Sequence, residues 1–226
     1  MSLDINTSKT IGGIGALLVF ISVFTSFLQI LYVPNIMMVL GIILILTGLY
    51  GLSIHYRDTG IFKKSLIGTV MGIIGIVVAV IILFALLLPS LVPLVQMSYP
   101  GWDGNWNTLP NMTLDTSLMD SNAIWDTLSP ILTNIIILFA VLCIFSIIAT
   151  FFIRQSLKQL REKSDIGLFE TTGTLMLIGG FLTIILIGYI LIWISVLLLA
   201  IAFFQIKPQE PTPQYDTYQP SPPPIQ

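Results

Sequence analysis

Long apolar runs alternate with short polar breaks along this chain, and the breaks define the elements. Residues 11–54 contain no charged residue. As one helix, at ~1.5 Å per residue, such a run would span about twice a hydrocarbon core of ~30 Å. Pro34-Asn35 interrupts it, and proline disfavours helical geometry in the residue before it. The run therefore reads as a hairpin with spans at 11–30 and 36–54. A third span follows at 65–88, which Pro89 and Pro93 are expected to end or bend. The fourth, at 130–153, is opened by Ser129-Pro130 as N-cap and first helical residue. It is expected to continue into the basic segment 154–163, with Leu157 and Leu160 on the membrane surface. Residues 171–206 again lack both charge and proline. One helix of that length would measure ~54 Å, too long without strong tilt. A hairpin with spans at 171–187 and 189–206, turning near Gly188, is the preferred reading.

The pattern predicts an all-α fold: a polytopic transmembrane bundle of six helices, arranged as hairpin, two central helices, hairpin. Five helices remain the alternative if 171–206 is a single span. Residues 1–207 form the helical membrane domain. Residues 208–226 hold seven prolines and no apolar periodicity, the mark of a disordered tail of polyproline II character. Its prolines flank Tyr215 and Tyr218, which also suits a ligand for a proline-binding groove. Between the third and fourth spans lies a polar segment, 97–128, with four aspartates, three tryptophans and no Lys or Arg.

Composition supports lipid as part of the solvent. Only 9% of the 226 residues are charged, against about 25% in a soluble domain. A net charge of −2 argues against nucleic acid, whose phosphates need clustered Lys and Arg. One cysteine, Cys143, and one histidine, His55, leave no material for a metal cluster or a Ser-His-Asp triad, so no cofactor or metal is expected. The short polar N-terminus leads into an apolar run with no small-residue cleavage site, which reads as a retained first span. All Lys and Arg fall at Lys9, in 57–64, in 154–163 and at Lys207. The positive-inside rule then places both termini in the cytoplasm and 97–128 outside the plasma membrane.

A phrase occurs twice in the basic breaks: Asp58-Thr59-Gly60-Ile61-Phe62 and Asp165-Ile166-Gly167-Leu168-Phe169. Asp58 and Asp165 are expected to cap the following helix, Gly60 and Gly167 to supply turn geometry, and Phe62 and Phe169 to return the chain to the lipid boundary. A paired docking role for the two copies is the functional alternative. Gly68, Gly72 and Gly75 give the third span a small-residue face suited to close helix packing.

Four stretches together resemble a known family: Thr10-Ile-Gly-Gly-Ile-Gly-Ala-Leu-Leu18, Leu46-Thr-Gly-Leu-Tyr-Gly-Leu-Ser53, the two Asp-x-Gly-Ile/Leu-Phe phrases, and Leu199-Ala-Ile-Ala-Phe-Phe-Gln-Ile-Lys-Pro208. They are similar to mainly archaeal multi-pass membrane proteins grouped as a domain of unknown function. The resemblance implies an archaeal-type plasma membrane; it implies no activity, cofactor or catalytic residue.

Other chemical candidates are weak. No predicted span contains the acidic or basic side chain that proton relays use. Gln29, Thr133, Asn134, Ser146, Thr183 and Ser195 either line a path for a neutral solute or, more commonly, bond to backbone between helices. Asp103, Asn105 and Asn107 alternate like the opening of a calcium loop, but Thr108 and Leu114 stand where it needs glycine and glutamate. Asn111-Met112-Thr113 fits a glycosylation acceptor. The sequence thus points to a non-enzymatic membrane component engaged in packing, scaffolding or assembly, with membrane lipids, a second copy or another membrane protein as partners. A transporter or channel for a neutral or lipid-like solute is the alternative.

Overall fold

The computed structural model describes residues 4–27, 33–113 and 121–207. These form helices α1 (Ile5–Phe27), α2 (Val33–His55), α3 (Thr59–Ile82), α4 (Leu88–Ser98), α5 (Ser121–Ser164), α6 (Gly167–Leu182) and α7 (Ile187–Gln205), with no strand among the described residues. A π-helical turn, Leu83–Leu87, joins α3 to α4 without a break. Six helical runs are long and apolar enough to cross a membrane, and the architecture is a multi-pass helical bundle. The expected tail, 208–226, lies outside the described residues.

Two central spans are longer than the apolar pattern suggested. The 65–88 span belongs to a helical run of 40 residues, Thr59–Ser98, and the 130–153 span to the 44 residues of α5. The prolines do not end the first run. Pro89 has no N–H to give, and the chain answers with the wider turn: Leu88 N–H bonds to Leu83 O, five residues back. Asn134 on α5 donates from Nδ2 to Leu86 O at 3.1 Å, which gives a carbonyl in the irregular stretch a partner. Residues 171–206 do form a hairpin, and it turns near Gly188, a few residues before it. The turn is the short 3-10 stretch Thr183–Ile185 and then Leu186, whose φ of 64° is left-handed. Gly188 lies inside α7, where a Cβ would collide with Gly179 O of α6.

α1 packs on α2, α3 on α5, α5 on α6 and α6 on α7, and α7 returns to α1. Glycines set these seams. A Cβ on Gly48 of α2 would stand 2.6 Å from Gly12 Cα of α1, and one on Gly15 would stand 2.7 Å from Gly41 O. On α3, a Cβ at Gly68 would meet Ala149 O of α5 at 2.7 Å, and one at Gly75 would meet Phe145 Cβ at 2.5 Å. Gly72, the middle residue of that face, has an ordinary 3.8 Å clearance. Such contacts allow two backbones to touch, the main source of helix association in lipid.

Large buried side chains gather at one end, where Lys9, the 57–64 connection and the 154–163 segment also lie; we call it the basic end. Leu52, Ile61, Leu157, Leu160, Phe169 and Phe203 are all essentially inaccessible there. The expectation that Leu157 and Leu160 rest on the membrane surface is therefore wrong. Six helices converge on this cluster, so the inward face of α5 is covered by protein rather than by lipid. Lys9 Nζ donates to Ile206 O at 2.9 Å, fixing the start of α1 to the end of α7 and supplying a cation at a helix C-terminus.

The seams make an unequal pair of predictions. Gly48→Ala places a methyl against Gly12 backbone and should lower the unfolding temperature in detergent markedly, by the ~1–3 kcal/mol of an overpacked core site. Gly167→Ala meets nothing within 4 Å and should leave that temperature unchanged or slightly raised. A thermal scan of both variants checks the difference.

Candidate functional site

The repeated phrase forms the two connections at the basic end, and the copies differ. In the first, α2 closes with Arg57 N–H on Ile54 O and Asp58 N–H on Ser53 O, a Schellman arrangement that requires a left-handed residue. That residue is Arg57, at φ 52°. Asp58 then caps α3, its Oδ1 accepting from Gly60 N at 2.9 Å. In the second copy the left-handed residue is Asp165 itself, at φ 57°. Its N–H closes α5 on Arg161 O at 2.9 Å, the simpler single-bond ending. The cap position of α6 passes to Ile166, which gives no side-chain bond.

Three expectations about the phrase are thereby corrected. Asp165 is no cap, because the left-handed residue that closes the preceding helix falls on Asp165 itself, one position later than Arg57 does relative to Asp58. Gly60 and Gly167 do not make the turns; both sit in the first turn of a helix, and the positive φ belongs to Arg57 and Asp165. Gly60 instead makes room for α5, since a Cβ there would stand 2.6 Å from Gln159 Oε1. Phe169 does not reach the lipid boundary. It is fully buried, edge-on to Phe203 with centroids 5.7 Å apart. Phe62 stays partly accessible and meets Tyr50 edge-on.

Between the connections, Ser156 of α5 donates to Ile61 O, and Ser65 of α3 donates to Ser156 Oγ at 2.8 Å. Arg161 pairs with Glu170 across the α5–α6 seam at 2.8 Å. Burial raises the Tyr56 phenol above its usual pKa, so it stays protonated near neutral pH. His55 is exposed and rests edge-on against Tyr56. No nucleophile with an adjacent base forms here, and among the described residues no three His, Cys, Asp or Glu side chains come together to hold a metal ion.

At the other end, Asp103 and Asn105 each accept a backbone N–H two residues on, both at 3.0 Å. These Asx bonds turn the acceptors into the loop's own backbone. Trp102 is buried, donating to Asn105 O, and meets Trp106 edge-on; Trp106 and Trp125 are exposed. Asn111 is exposed at the end of a 3-10 turn. Asp115 and Asp120 lie outside the described residues, as does Gln29. Thr133, Thr183 and Ser195 each donate to a carbonyl of their own helical stretch, so these hydroxyls serve backbone.

Sequence reasoning missed Gly12, Gly15, Gly41 and Gly48 as packing residues, although their spacing, three on α1 and seven on α2, puts each pair on one helix face. It also missed the Ser65–Ser156 bond, which no spacing rule could show because the partners are far apart in the chain.

The two connections yield a paired test. Arg57→Gly should raise stability by about 1 kcal/mol, because an arginine at left-handed φ is strained and glycine is not. Asp58→Ala should cost about 1 kcal/mol through loss of the cap, whereas Asp165→Ala removes no cap. Denaturation in a fixed detergent, compared across the three, measures the asymmetry.

The chain is 27% identical over 206 residues to an uncharacterized protein of Methanocaldococcus jannaschii, covering 91% of this chain and 95% of that one. No solved structure matches. The family described as protein of unknown function, DUF996, matches residues 36–197, from α2 into α7. The chain belongs to that family.

Proposed function

We propose that this protein is a non-enzymatic component of the plasma membrane that works by assembly, presenting α3 and α5 to a second copy or to another membrane protein. One observation carries the reading. The most apolar stretches of the two longest helical runs, those of α3–α4 and α5, are only 6% and 11% buried inside the chain, against 33–39% for the other four spans. α3 turns Gly68 and Gly75 to α5 and leaves Ile73, Ile76, Val77 and Ile81 uncovered. Together with the lack of a catalytic arrangement among the described residues, this supports a surface built for packing. The distribution of Lys and Arg supports a basic end in the cytoplasm.

A second reading, passage of a neutral or lipid-like solute, draws on the groove of about 350 Å³ lined by Ile43, Leu46, Thr47, Tyr50 and Phe62. It lies between α2 and α3, which share the least extensive of the contacts between successive spans.

Blue-native electrophoresis with crosslinking in mild detergent separates the two. The assembly reading expects a species larger than the monomer, weakened by Ile76→Trp on α3. A monomer with no partner contradicts it. In a Cys143→Ser background, an impermeant thiol reagent on intact cells should label a cysteine at Asn111 and spare one at Lys207; the reverse pattern contradicts the orientation.

A further inference from the structure

Two Asn-x-Ser/Thr triplets occur in the chain, Asn6-Thr7-Ser8 and Asn111-Met112-Thr113, and the fold presents them in opposite ways. The first lies in the opening turns of α1, at the basic end beside Lys9. Ser8 is 0% exposed, and its hydroxyl donates to Asp4 O at 3.0 Å. On a helix, side chains two residues apart do not face each other, so Asn6 and Ser8 are not offered together. The second triplet lies beyond α4, at the other end of the bundle, in the loop that carries Asp103 and Trp106. Asn111 closes the 3-10 turn Leu109–Asn111, and Met112 leaves that turn with extended backbone, φ −95° and ψ 149°. Extended backbone brings residues i and i+2 to one side of the chain. Asn111 and Thr113 are both exposed, so the amide and the hydroxyl two residues on face solvent together.

N-glycosylation needs both groups of such a triplet within reach of a membrane transferase, on a surface loop outside the cell. No Lys or Arg lies between Ser65 and Ile153, which by the positive-inside rule favours the outer side for this loop. We propose that Asn111 is the N-glycosylation site of this protein and that Asn6 stays bare. The proposal rests on the orientation proposed above, with the basic end in the cytoplasm. The donor is an oligosaccharide joined through its anomeric carbon to a polyprenyl phosphate. Asn111 Nδ2 attacks that carbon: the C–N bond forms, the C–O bond to the phosphate breaks, and the polyprenyl phosphate leaves with the electron pair. One proton of the amide passes to a base of the transferase. Asp103 and Asn105 hold the loop through their Asx bonds, and modification at Asn111 leaves those bonds intact. A glycan there stands at the end of the bundle and leaves the uncovered faces of α3 and α5 free.

The test expresses the full chain in an archaeon that glycosylates its own surface proteins and reads the intact mass of the purified protein. Wild type should carry added mass in sugar-sized steps, and peptide mapping should place it on Asn111. Asn111→Gln and Thr113→Ala should each abolish it, whereas Thr113→Ser and Asn6→Gln should keep it. Wild type at the mass of the bare chain, in cells whose own surface proteins are modified, overturns the proposal. So does unchanged added mass in Asn111→Gln. Impermeant thiol labelling of Asn111→Cys in the Cys143→Ser background then separates the glycan from the orientation. A labelled cysteine beside a bare wild type leaves the orientation standing and ends only the glycan. An unlabelled cysteine, with or without sugar on Asn6, overturns both.

Discussion

In lipid, one apolar helix gains nothing from water by touching another, so this bundle depends on how closely its backbones can approach. Glycine supplies that approach at Gly12 with Gly48, Gly15 with Gly41, Gly68 with Ala149, and Gly179 with Gly188. The same constraint governs polar groups. The hydroxyls of Thr133, Thr183 and Ser195 return to carbonyls of their own helical stretches, and Asn134 reaches across to a carbonyl in the π-helical turn. Where no water is present, a backbone group without a partner costs more than any single packing contact returns.

At the basic end the physics changes. Here the helices converge on a core of conventional type, with Phe169 against Phe203 and Leu157 and Leu160 fully enclosed. Lys9 and the Ser65–Ser156 pair tie distant parts of the chain to this core. The glycine seams and this core together leave α3 and α5 with broad uncovered faces. The structure is thus closed where its Lys and Arg are and open to lipid or protein along its most apolar helices.

The helical class, the six spans and the second hairpin were legible because charge-free length against bilayer thickness is a one-dimensional constraint. Helix ends were less so. Pro89 and Pro93 read as stops, but a π-helical turn and Asn134, 48 residues away, let the helix continue. The repeated phrase identified both connections, yet identical spacing concealed a one-residue difference in how α2 and α5 end. That difference depends on which residue takes the left-handed conformation, and neither Arg57 nor Asp165 announces it as a glycine would. Phe169 was misplaced for another reason: its cover comes from Phe203, 34 residues on, and periodicity does not show which face of α6 meets α7.

The closure of the bundle by α7 against α1 is the claim on which the rest turns, because it unites the glycine seams, the basic-end core and the even number of spans. Phe20 and Trp193 stack there, with ring centroids 4.6 Å apart. The most direct test places cysteines at both positions in a Cys143→Ser background and treats membranes with a short bifunctional thiol reagent. The account predicts a rapid crosslink within one chain, readable as a mobility shift after cleavage of the α3–α5 connection. Crosslinks only between chains, or none, would contradict it.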